Sequence, residues 1–213
     1  LQKSSNVAST KIALSLPADG ITNMQRQFGF GAKTPLQFPG EGSGLVVTPE
    51  EKETSRRATV SYGYGIQVTL AQIAQAYSAL AAGGVMHPLT LNKNDKALPS
   101  KRIMAHEQAM AIVQMMESVT EDGGTAKGAA IDGYRVAGKT GTSRRINPKG
   151  GYYTDQYRNV FAGMAPASNP RLVGVMLIED PRGQIYAGLT VAPVFHNVMK
   201  EALRLYNVPL DKP

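Results

Sequence analysis

The apolar positions of this chain fall into two rhythms, a helical one over the first two thirds and a strand-like one after it. Leu70, Ile73, Ala74, Tyr77, Leu80 and Ala81 recur at the three-and-four spacing that gathers side chains on one face of a helix, and Gly83-Gly84 follows as a stop. Ala105, Ala109, Met110, Ile112, Val113, Met116 and Val119 repeat the pattern and end before Gly123-Gly124. Two shorter helices are predicted near the start, over 7–16, where Pro17-Ala18-Asp19-Gly20 breaks the chain, and over 21–28. From 29 to 54, Pro35, Pro39, Pro49 and five glycines predict a long irregular connection, which in a compact domain is functional or held against a surface. The weak alternation of 85–98 predicts a small hairpin turning at Asn92-Lys93-Asn94-Asp95.

After Tyr134 the period shortens. The segments 134–140, 159–165 and 172–178 read as strands, and the unbroken apolar run of the third predicts burial on both faces. Pro166-Ala167-Ser168-Asn169-Pro170 is short enough to join the last two as an antiparallel turn. The stretch 143–158, rich in Gly, Asn and Tyr, is expected to be a flexible loop. A closing helix carries Val194, Val198, Ala202 and Tyr206 beside Phe195, Met199 and Leu203. Helices first, then a meander, then a closing helix describe an α/β fold of the α+β type with a mostly antiparallel sheet.

Composition narrows the function classes. At 213 residues, with 42% hydrophobic and 18% charged positions, the chain can bury a real core and is not disordered. It has no cysteine, which excludes a disulfide framework, a Cys-ligated zinc, an iron–sulfur cluster and a thiol nucleophile. His87, His106 and His196 lack ligand-like spacing, so neither metal nor cofactor is expected. The net charge of +7 invites a nucleic-acid reading, yet the basic residues are scattered from Lys3 to Lys212 with no long basic run, so no nucleic-acid partner is expected. The opening Leu1-Gln2-Lys3 is neither an initiator methionine nor an apolar leader, which suggests the inside of a longer protein.

The candidate chemistry lies in Lys139-Thr140-Gly141-Thr142, at the end of a predicted strand. An ammonium at Lys139 attracts an anionic substrate and lowers the pKa of neighbouring acids. The hydroxyls of Thr140 and Thr142 can donate charge-assisted bonds to a carboxylate. Gly141, without a side chain, lets a peptide lie along the strand as an added strand, and the Thr142 N–H can serve as an oxyanion donor. A strand edge with a solvated lysine and a glycine bulge explains the tetrapeptide equally well. Ser4-Ser5-Asn6, just before a predicted helix, either caps that helix or supplies a hydroxyl and a carboxamide for proton relay and amide holding.

Together and in this order, Ser4-x-Asn6 and Lys139-Thr140-Gly141 match two of the three signature motifs of penicillin-binding proteins and related β-lactamases. The whole chain resembles the C-terminal part of a class B penicillin-binding transpeptidase domain of Gram-negative, division-specific type. The likeness also runs through Tyr62-Gly63-Tyr64-Gly65, the stretch from Ala162 to Ser168, and Ala192-Pro193-Val194-Phe195. Elongation-type relatives carry Cys-Asp where this chain has Ser5-Asn6, which favours the septal branch. The third motif, Ser-x-x-Lys, is absent: no serine from Ser4 to Ser168 is followed three residues later by Lys. The resemblance places that nucleophile upstream, together with a pedestal and a membrane anchor.

The resemblance implies a peptidoglycan D,D-transpeptidase that crosslinks stem peptides ending in D-Ala-D-Ala at the division septum, on the periplasmic face of the inner membrane, and is a target of β-lactams. Ser4 would relay protons, Asn6 would hold the acyl-side amide, Lys139 would tune the relay, and Thr140 and Thr142 would bind the terminal carboxylate. Ser5 and Gly141 would line the substrate path. Arg144 would steer carboxylates or stand as an exposed charge; Tyr62, Tyr64 and Tyr186 would line the cleft or simply pack. Expected partners are stem peptides, β-lactams bound covalently to the upstream serine, the upstream segment itself and membrane proteins of the division complex. Two alternatives remain open: a D,D-carboxypeptidase or β-lactamase-type hydrolase on the same fold, and a catalytically dead division scaffold.

Overall fold

The computed structural model describes residues 1–36, 38–93, 96 and 98–213. Its backbone divides into two compact units, Ser4–Ala105, and Leu1–Lys3 together with His106–Pro213.

The Ser4–Ala105 unit holds helices α1 (Asn6–Leu14), α2 (Gly20–Gln27), α3 (Thr54–Val60) and α4 (Leu70–Ala81). Two antiparallel two-residue ladders complete it, β1 (Leu45–Val46) with β2 (Ile66–Gln67), and β3 (Val85–Met86) with β4 (Lys101–Arg102). The periodic helices fall within two residues of expectation, although Gly20 opens α2 instead of ending the turn before it. α4 starts with a capping box in which the Thr69 hydroxyl accepts the Gln72 N–H and the Gln72 side chain accepts the Thr69 N–H. Gln72 is fully buried, and its Nε2 donates to Ala32 O at 2.6 Å and Ser43 O at 2.8 Å. That one amide ties the irregular 29–54 connection to α4, and it repays its burial by having its donors satisfied. The hairpin from Val85 returns at Lys101–Arg102, later than the alternation suggested, and Asn94 and Asp95 of its expected turn lie outside the described residues.

The second unit packs α5 (His106–Glu117), a 3-10 turn (Lys127–Ala129), α6 (Ala187–Thr190) and α7 (Ala192–Leu205) with an antiparallel sheet. The sheet runs in the order β5 (Ala137–Ile146), β6 (Tyr152–Ala165), β7 (Leu172–Glu179). The expected α+β class therefore holds. The segment 143–158 is no loop: β5 and β6 continue pairing through it to Ile146↔Tyr152, and only five residues turn between them. β7 is half-buried along its apolar length instead of buried on both faces, with Leu172, Met176 and Ile178 packed on the core.

On α7 the stripe that goes inside is Ala192, Phe195, Met199 and Leu203; Val194, Val198 and Tyr206 are exposed. The Phe195 ring meets Phe161 of β6 edge-on, with centroids 4.7 Å apart. Three glycines in cross-strand register, Gly138, Gly163 and Gly174, make the groove for these rings. A Cβ at Gly138 would stand 2.3 Å from Phe161 Cζ, and one at Gly174 would stand 3.0 Å from Phe195 Cε2. The two aromatic rings thus lie on a sheet floor that has no room for side chains, and this fixes β5 against β6 directly beneath Lys139.

Candidate active site

Lys139-Thr140-Gly141-Thr142 occupies the middle of β5, which has β6 on one side and no other strand of the described residues on the other. In register, Lys139 faces Ala162, Thr140 faces Phe161, Gly141 faces Val160 and Thr142 faces Asn159. Because side chains alternate, Thr140, Thr142 and Arg144 share one face of the strand and Lys139 and Gly141 the other. Along this edge an extended peptide can add as a further strand, flanked by hydroxyls on one face and an ammonium on the other.

Each side chain there has a defined setting. Lys139 is half-buried, its Nζ donates to Thr140 O at 2.9 Å and Thr140 Oγ1 at 3.4 Å, and burial holds its pKa below the usual lysine value. The Thr140 hydroxyl is 3.0 Å from the Thr125 hydroxyl, which is carried on the turn after α5. Thr142 Oγ1 accepts the Ala187 N–H at 3.1 Å, at the start of α6. Gly141 is exposed, and a Cβ there would meet Val160 Cβ no closer than 3.9 Å, so nothing within the sheet requires a glycine at this position. Arg144 is exposed and has no ion-pair partner among the described residues, whereas its neighbour Arg145 pairs with Asp180 and bonds Gln156 Oε1. Arg56, Arg57, Arg135, Arg158 and Arg204 are ion-paired as well.

In the other unit, Ser4 adopts φ 50°, an uncommon left-handed conformation for a residue with a side chain. Ser5 follows as the N-cap of α1, its Oγ accepting the Ala8 N–H at 3.3 Å, so the helix-capping reading holds for Ser5. Asn6 opens the helix with an exposed side chain. Tyr64 is half-buried and meets Tyr62 edge-on at 6.0 Å. Tyr186 is 62% exposed beside α6, so packing does not account for it. No three His, Cys, Asp or Glu side chains among the described residues gather as a metal site.

Three residues at or behind this strand were not singled out by any motif: Thr125, which meets Thr140; Asn159, which faces Thr142 across the ladder; and Thr190, which bonds Asn159. Asn159 carried a usable signal, being a lone carboxamide beside the apolar positions that follow it on β6, and it is fully buried.

Residues 1–200 match the penicillin binding protein transpeptidase domain. The chain is 41% identical over 212 residues to the peptidoglycan D,D-transpeptidase FtsI of Escherichia coli (strain K12), an alignment covering 99% of this chain and 36% of that protein. It superposes on the apo TP domain of penicillin-binding protein 3 from Burkholderia pseudomallei with a TM-score of 0.89 and 38% identity, covering 100% of this chain and 65% of that one. Penicillin binding protein 3 from Mycobacterium tuberculosis complexed with aztreonam gives a TM-score of 0.89 at 33% identity, covering 100% of this chain and 52% of that one.

Proposed function

This chain belongs to the penicillin-binding protein transpeptidase family, and from that premise we propose that it is the carboxylate-binding and proton-relaying part of a division-type peptidoglycan D,D-transpeptidase. The observation that carries the reading is the edge strand β5, with a half-buried lysine, two hydroxyls and an unobstructed glycine in consecutive positions. The nucleophile is a serine outside these residues, since no Ser-x-x-Lys occurs in them.

In that reaction the serine oxygen bonds to the penultimate D-Ala carbonyl carbon, the peptide C–N bond breaks, and the serine proton leaves on the terminal D-Ala amine. An amine of a neighbouring stem then attacks the acyl-enzyme, and its proton returns to the serine. Ser4 passes these protons, Asn6 holds the acyl-side amide, and the positive charge of Lys139 stabilises the relay. Thr140 and Thr142 bind the terminal carboxylate as donors, the Thr142 N–H stabilises the developing oxyanion, and Arg144 draws carboxylates toward the strand. β-Lactams acylate the same serine, and penicillins among them carry an equivalent carboxylate; the aztreonam complex of the Mycobacterium tuberculosis relative supports β-lactam binding. The setting is the periplasmic face of the inner membrane, beside other division proteins. No helix of the described residues is long and apolar enough to cross a membrane.

The test supplies the protein carrying its nucleophile segment with a donor stem pentapeptide and an acceptor stem amine, and analyses the products by mass. A crosslinked dimer with release of D-Ala supports the transpeptidase. Release of D-Ala with the donor hydrolysed and no crosslink identifies a carboxypeptidase, and no release at all identifies a scaffold.

A further inference from the structure

Three hydrogen bonds, the Tyr186–Ala187 peptide bond and the β5–β6 ladder close a ring behind Thr142, and we propose that Asn159 and Thr190 are positioning residues that aim the Thr142 hydroxyl as a hydrogen-bond donor at a substrate carboxylate. The inference rests on the transpeptidase reading above and adds to it a mechanism for selecting a free carboxylate.

Asn159 lies directly across the ladder from Thr142 and is fully buried. Its Nδ2 donates to Thr190 Oγ1 at 2.8 Å, and Thr190 Oγ1 donates to Tyr186 O at 3.2 Å. The next residue, Ala187, donates its N–H to Thr142 Oγ1 at 3.1 Å, and the ladder leads back from Thr142 to Asn159. A backbone N–H can only donate and a carbonyl oxygen can only accept, so the Ala187–Thr142 and Thr190–Tyr186 bonds each run one way, and with its Nδ2 toward Thr190 the Asn159 side chain donates there. Thr190 therefore spends its one hydrogen on Tyr186 O and accepts from Asn159.

The consequence falls on Thr142. A threonine hydroxyl has one hydrogen and two lone pairs. With one lone pair taken by Ala187 N–H, the hydrogen is turned away from α6, and no acceptor for it exists among the described residues. An exposed hydroxyl held as an outward donor suits an anion and suits a neutral ester poorly. Asn159 Oδ1 is buried without a hydrogen-bond partner among the described residues, so the bond to Thr190 is the side chain's anchor. α6 is only four residues long, and the Thr190–Tyr186 bond together with the Asn159 amide holds its first N–H in place.

The experiment measures acylation of the protein carrying its nucleophile segment by one penicillin as the free acid and as its methyl ester, and takes the ratio of the two rate constants. The ratio is insensitive to how much of a variant is folded, because both probes report on the same active molecules. Thr190→Val keeps the side-chain shape and breaks the ring, and the preference for the free acid is expected to fall about tenfold, the effect of misdirecting one bond to a charged group. Thr190→Ser restores the hydroxyl and should restore the preference, while Thr190→Ala, which relieves any packing strain from valine, should behave as Thr190→Val does. A Thr190→Val protein with the wild-type preference overturns this inference alone. A wild type that neither probe acylates overturns the transpeptidase reading, and the inference with it.

Discussion

Adding one methyl group at Gly138 or at Gly141 perturbs two positions only three residues apart in opposite ways. At Gly138 the new Cβ would lie 2.3 Å from Phe161 Cζ and 2.9 Å from Ala162 O. Carbon atoms in contact sit about 3.5 Å apart, so β5 or the ring must move by about 1 Å. The ring has nowhere to go, since Phe161 is fully buried and packed edge-on against Phe195. Overpacking of this kind costs about 2 kcal/mol, which lowers the melting temperature by roughly 4–8 °C in a protein of this size. The displaced strand carries Lys139 with it, and a shift of about 1 Å costs about 100-fold in rate. At Gly141 the nearest atom to a new Cβ is Val160 Cβ at 3.9 Å, an ordinary contact. Gly141→Ala should therefore melt at or slightly above the wild-type temperature, gaining up to about 0.5 kcal/mol from reduced backbone entropy of the unfolded chain. Its methyl stands where the substrate backbone lies, so acylation should still fall by at least about tenfold. The assay uses the protein carrying its nucleophile segment and pairs thermal unfolding, followed by circular dichroism, with the acylation rate for each variant. A Gly141→Ala protein destabilised as much as Gly138→Ala, or acylated as fast as wild type, would refute the reasoning.

In the protein carrying its nucleophile segment, Lys139→Met should abolish acylation and yet stabilise the fold near pH 7. Burial holds the Lys139 pKa below 10.5, so the folded state binds fewer protons than the unfolded one, and wild-type stability rises with pH through the window below 10.5. The advantage of the methionine variant should accordingly shrink as the pH approaches 10.5; urea midpoints across pH 7–10 that show a constant or growing advantage would contradict this. Arg135→Met strips the Glu117 carboxylate, whose side chain is only 11% exposed, of two bonds of 2.8 Å. Because the Arg135 side chain is itself 40% exposed, the loss should be about 2 kcal/mol, less than for a fully buried pair, and calorimetry will read it. Asp211→Ala removes a carboxylate that accepts from Arg135 N, Ser168 N and Ser168 Oγ. Limited proteolysis should then cut the tail after Val208 well before the body of the domain, and equal cutting rates in wild type would count against that role.

The three longest helices, α4, α5 and α7, could be read from the sequence because each repeats its apolar positions with a 3.6-residue period over two or more turns. α3 could not: Thr54, Ser55, Arg56 and Arg57 leave Val60 as its buried residue, and a helix with so little to bury has no apolar rhythm. β1 to β4 are two residues each, too short to show any period. The ribbon from Ser143 to Arg158 looked like a loop because it extends beyond β7, whose pairing ends at Arg158↔Glu179; most of its side chains are solvent-exposed, and no buried face imposes alternation. The Lys139–Thr142 tetrapeptide was legible as local chemistry. Thr125 and Thr190 were not, since they lie on a turn and a short helix at separations no motif encodes, and Asn159 was marked only as a lone carboxamide beside apolar positions.

The central claim is that these 213 residues bind the substrate carboxylate while the acylated serine lies outside them. Incubation of the isolated chain and of the longer protein with a fluorescent penicillin, followed by denaturing gel and intact mass, tests it directly. The account predicts that the isolated chain keeps its unmodified mass, and that the longer protein gains one adduct mapping to a serine of a Ser-x-x-Lys motif. An adduct on any serine from Ser4 to Ser168 would place the nucleophile inside this chain and contradict the account.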